Sequence, residues 1–139
     1  RHGSMFNPWR HLGEHLPHVD IIWTRLPGDL RGLTDGRVIW MDPRLTQVQR
    51  RCTIAHEAVH CERGVPADAR EERAVEVIAA RRLVALDALV DALVWSRHTC
   101  EVASELWVDV PVLVALVRSL SGRERAWIDE QLHERGVHQ

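Results

Sequence analysis

With 139 residues, 27% of them charged and 45% hydrophobic, and a formal net charge of −2, the chain is long enough to bury one core without staples. It offers no broad positive face to a nucleic-acid backbone. No apolar run approaches the ~20 residues that cross a bilayer and no signal-peptide pattern opens the chain, so a soluble cytoplasmic protein without a membrane or nucleic-acid partner is expected.

In chain order, Arg1, His2, Gly3 and Ser4 read as the remnant of an expression tag ahead of Met5, which leaves 5–139 as a single domain. Phe6, Trp9, Leu12 and Leu16 recur at helical spacing after Asn7 and Pro8, predicting a short amphipathic helix that ends near Pro17. Residues 19–26 are rich in β-branched and aromatic types and precede the turn Pro27-Gly28-Asp29. Residues 30–33, the turn Thr34-Asp35-Gly36 and residues 37–41 then complete a small antiparallel meander of about three strands.

From Arg44 the period becomes helical, with Leu45, Val48, Cys52, Ala55 and Val59 on one stripe and Gly64 with Pro66 closing it. Further helices are predicted over 67–86, 87–95 and 101–107. Another is capped by Asp109 with Pro111 just inside its start and runs to Leu120. Ser121-Gly122 breaks it, and a last helix over 123–135 points Trp127, Ile128 and Leu132 inward. The class is α+β, a small sheet followed by a mostly helical core and C-terminal helices. The six tryptophans are spread over separate elements and are expected in core and rim packing.

The chemistry concentrates at His56-Glu57-Ala58-Val59-His60, an HExxH pattern inside a helix. Histidines four apart stand one above the other on a helix face, so both imidazoles can address one metal ion while the glutamate beside the first lies next to the bound water. His56 and His60 are therefore candidate zinc ligands and Glu57 the general base that activates the zinc-bound water. A third ligand is needed. No histidine follows before His98, whereas Glu71, Glu72 and Glu76 lie on the next helix. The apolar stripe of that helix, through Val75, Ile78, Ala79 and Leu83, extends back to a point between Glu71 and Glu72, with Glu76 at its edge. Spacing leaves all three open. Cys52, Cys61 and Cys100 form no CxxC pair, and Cys61, ~100° around the helix from His60, reads as packing. His11, His15 and His18 lack a carboxylate or thiol cluster nearby in sequence and read as exposed.

These residues resemble the ImmA/IrrE family of small zinc metallopeptidases, in the short form carried by actinobacteria and their phages. The likeness runs through Arg37-Val38-Ile39-Trp40-Met41-Asp42, residues 51–60, Glu71-Glu72-Arg73-Ala74-Val75-Glu76 and on to Val84, and again through residues 103–120. It implies a zincin-like core, a Zn2+ cofactor, a gluzincin-like third ligand at Glu72, and a helix-turn-helix repressor of a phage or mobile element as substrate, in the cytoplasm of a bacterial host. The chain departs from the family pattern at Ile78, where an aromatic is usual, and at residues 81–85, where a proline is missing. Two other functions compete. One is a non-catalytic repressor- or antitoxin-binding protein with structural zinc. The other is DNA binding by residues 101–120, whose second helix offers only Arg118 to phosphates or bases. Oligomeric state leaves no signature.

Overall fold

Asn7 and Pro8 start the first helix: in the computed structural model, which describes residues 5–137, the Asn7 side chain accepts the Trp9 and Arg10 N–H groups and Pro8 opens α1 (Pro8–His15). Residues 1–4, with the expected tag remnant, lie outside the described residues. Leu12 and Leu16 turn inward from α1, toward a sheet of β1 (Asp20–Trp23), β2 (Gly32–Thr34) and β3 (Val38–Met41).

The strand order is β1-β3-β2, with β3 parallel to β1 and antiparallel to β2, so the sheet is mixed where a meander was expected. The connection between β1 and β2 is too long for a tight hairpin and carries the chain past β3 to its far edge. Asp42 anchors that connection, accepting the Leu26 N–H at 3.0 Å and two hydrogen bonds from the Arg44 guanidinium. β3 alone is paired on both edges, and its Ile39 and Met41 are fully buried.

α2 (Gln47–Arg63) begins a few residues later than the apolar pattern, because Asp42 also accepts the Arg44 N–H in a turn. Thr46 and Gln49 form a capping box at its start. α2 is the wall between two apolar clusters. Ile54 and Ala58 face Leu12, Leu16, Ile39 and Met41, while Cys52, Ala55 and Val59 face the helices that follow.

Gly64, at φ 105°, ends α2 in a conformation that a side chain would strain. α3 (Ala69–Leu83), capped by Asp68, packs along α2, and α4 (Leu86–Trp95), α5 (Thr99–Glu105), α6 (Val110–Ser119) and α7 (Gly122–Glu134) complete the α+β architecture. Asp109 caps α6 through the Val112 N–H, and Ser121-Gly122 starts α7 with a capping box to Glu124.

Arg51 ties these pieces together. Its buried guanidinium donates to the carbonyls of Phe6, Leu83 and Trp107, joining the start of the chain, the end of α3 and the α5–α6 turn to α2. Of the core and rim packing expected of the tryptophans, the rim part is seen, as where Trp9 stacks on Trp23, and the core part is not. Trp9, Trp23, Trp95, Trp107 and Trp127 are exposed and Trp40 is half-buried, so the inward placement of Trp127 is corrected too. Aliphatic and alanine side chains fill the space between the helices instead. Among the described residues, no helix is long and apolar enough to cross a membrane.

Candidate metal centre

His56 and His60 stand one turn apart on α2, with ring centroids 4.9 Å apart and the rings edge to face. α3 brings Glu72 over them from its first turn. Its Oε1 lies 2.5 Å from His56 Nε2 and its Oε2 2.9 Å from His60 Nε2. One donor atom from each of the three residues falls within 4.8 Å of the others, and this is the group among the described residues able to hold a metal ion.

The donor set suits zinc. Two imidazole nitrogens and a carboxylate oxygen are its usual partners, at about 2.0–2.2 Å each. His60 is buried, whereas the Glu72 side chain is 43% exposed, which leaves it free to adjust its carboxylate around an ion. In one respect the site is spare. His60 Nδ1 is buried without a partner, whereas ligating histidines usually donate their second N–H to a carbonyl or carboxylate.

The neighbouring carboxylates divide by their partners. Glu71 is taken by Arg63, whose Nε and second guanidinium nitrogen lie 2.5 and 2.9 Å from its oxygens. Glu76, one turn beyond Glu72, is exposed, lines a pocket beside His56 and adds its negative field there. Only Glu72 meets both imidazoles. The helical stripe had left the choice between adjacent residues open, and the capture of Glu71 by Arg63 separates them.

Glu57 points into the same cleft and is buried to 8% exposure. Burial pushes its carboxyl up to about 7, and the Glu72 carboxylate adds to the effect. For His56, burial pulls the imidazole down from its usual value, which favours the neutral, metal-ligating form. A cation held between His56, His60 and Glu72 would favour the Glu57 carboxylate.

Gly32 on β2 belongs to this site although no motif marks it. A Cβ there would come within 2.5 Å of Thr53 Cγ2 and 3.2 Å of Glu57 Cγ, so glycine lets the strand backbone lie directly on the HExxH helix. Leu33 faces Trp40 in the ladder and, among the described residues, β2 has no strand on its other side, so Gly32 and Thr34 direct their backbone groups away from β3. A pocket of about 500 Å³ runs between this edge and His56, Glu57, His60 and Glu72.

Other sequence candidates fall outside the centre. The Cys61 thiol lies 3.3 Å from the Thr34 hydroxyl and packs against the sheet-side cluster, as expected of a packing residue. His15, His18 and His98 are exposed. His11 departs from expectation: it is half-buried, and its Nε2 is 3.1 Å from Glu62 Oε2, a carboxylate that Arg82 also holds. α6, the would-be recognition helix, buries Leu113 and Leu116 and lines with Val112 and Ala115 a pocket that also contains His56 and Glu57, so much of it is engaged within the fold. Comparison of the chain with protein-family models, curated proteins and solved structures finds no match.

Proposed function

We propose that this chain is a small zinc-dependent endopeptidase in which His56, His60 and Glu72 hold the ion and Glu57 is the general base. The observation that carries the reading is the convergence of both imidazole Nε2 atoms on the two oxygens of Glu72, beside the buried Glu57 carboxylate. A bound divalent ion supplies Lewis acidity toward a peptide carbonyl and a water molecule.

The chain's own groups supply the rest. The outward-facing N–H and C=O groups of Gly32 and Thr34 can pair with an extended peptide laid along β2, which orients its backbone across the cleft. Glu57, raised toward neutrality by burial, accepts a proton from water and returns it to the leaving amine. The walls around Glu57 and His60 limit competing solvent.

Structural zinc sites are normally closed by four protein ligands, and the group among the described residues contains three, which favours catalysis over a binding module with structural zinc. Resemblance to the ImmA/IrrE pattern extends the proposal to the substrate, a helix-turn-helix repressor of a phage or mobile element cleaved in a bacterial cytoplasm. The test is incubation of the zinc-loaded chain and its Glu57→Gln variant with a repressor encoded beside its gene. Cleavage by the first and not the second is expected. Equal cleavage by both, or binding without cleavage by both, rejects the peptidase.

A further inference from the structure

A second pocket of about 310 Å³ adjoins the β2 cleft and shares Gly32, His56 and Glu57 with it. We infer that this pocket receives an uncharged aliphatic side chain of a bound peptide, of leucine or isoleucine size, and turns acidic side chains away. The inference rests on the peptide-binding reading above and names the residue type that such a peptide presents.

The pocket exists because its walls are small. Cys52 of α2, Ala79 of α3, and Val112 and Ala115 of α6 meet around it, and a longer aliphatic side chain at any of these positions would project into the space. An apolar cavity of about 150 Å³ already admits benzene, so the volume is ample for one aliphatic side chain. The Cys52 thiol adds no charge, since burial pushes it up to about 11.

The rim is acidic and braced. Glu76 and Asp109 line the pocket beside Arg31. That guanidinium is already held by Asp109 Oδ2 at 2.6 Å, while Asp109 Oδ1 caps α6 through the Val112 N–H. The pair links the approach to β2 with the start of α6, and the Asp109 carboxylate offsets the Arg31 charge, leaving Glu76 in excess. An acidic side chain would therefore meet net negative charge beside apolar walls, whereas an aliphatic one buries its surface at about 25 cal/mol per Å².

The experiment is methyl NMR on the full chain with a chelator present to prevent turnover, titrated with acetyl-Ala-Gly-X-Ala-amide peptides in which X is Leu, Asp or Arg. Saturable shifts of the Val112 and Ala115 methyls by the Leu peptide are expected, with at least about tenfold weaker binding of the Asp peptide, a difference of about 1.4 kcal/mol. Ala115→Phe and, independently, Ala79→Leu should remove the preference. Equal binding of Leu and Asp peptides, tighter binding of the Arg peptide, or no shift at these methyls overturns the inference. So does a filling variant that raises Tm and leaves binding unchanged, because the pocket is then unfilled packing space. Hydrolysis of the same peptides by the zinc-loaded chain is scored separately: selective binding without hydrolysis keeps the pocket and rejects the peptidase.

Discussion

Glu57 and Gly32 are the two residues whose exchange most sharply separates chemistry from scaffolding. Glu57 is in neither of the contacts that join Glu72 to the imidazoles, so Glu57→Gln should retain metal while lowering peptide hydrolysis by a factor of about 10²–10⁴, the range of general base catalysis. A parallel loss of metal in that variant would contradict the division of roles. Gly32→Ala should cost about 1–3 kcal/mol through overpacking against Thr53 and lower hydrolysis further by displacing Glu57; chemical denaturation and hydrolysis assays check the two parts. The HExxH spacing made His56, Glu57 and His60 legible in the sequence because helix geometry alone stacks residues four apart. Spacing left Glu72 open beside Glu71 and Glu76, and only the family resemblance singled it out. Gly32 and the His11–Glu62 pair were not legible, since each depends on partners brought close by the tertiary fold rather than by a local period.

At the scale of elements, Arg51 ties the end of α3, the start of the chain's described part and the α5–α6 turn to α2. Its buried guanidinium has carbonyl partners on three separate segments, so Arg51→Met leaves several acceptors unsatisfied at about 1–3 kcal/mol each. A loss of about 3 kcal/mol or more in urea unfolding is expected; a change below about 0.5 kcal/mol, the range of ordinary surface substitutions, would show that the clamp is dispensable. The helices were readable because their caps and periods are local: Asn7, Thr46, Asp68, Asp109 and Ser121 each accept a hydrogen bond from the first turn that follows. Strand order was not readable, because it is decided by the Asp42 anchor and by the route of the chain beyond Trp23. The same limit misplaced Trp127, since aliphatic side chains from α4, α6 and α7 fill the cluster that it was expected to join.

For the whole molecule, α2 carries the site between two apolar clusters, so stability and chemistry share one helix. Asp42 gives the fold an acid limit. Hydrogen bonds from the Arg44 side chain, then the Leu26 and Arg44 N–H groups, hold its carboxyl below the unfolded value near 3.8. Its stabilisation is therefore present above that value and is lost as pH falls through it toward the lower folded value. Urea unfolding across pH 7 to 2 should show a steeper loss in the native sequence than in Asp42→Asn, which is weaker at pH 7; parallel curves would contradict this assignment. The proposed centre comes down to three side chains and one ion, which zinc content after equilibration and gel filtration reads out. About one zinc per chain is expected in the native sequence and in Glu57→Gln, with loss of most of it in His60→Ala and in Glu72→Ala. Full zinc retention by both of the latter variants would contradict the proposed centre.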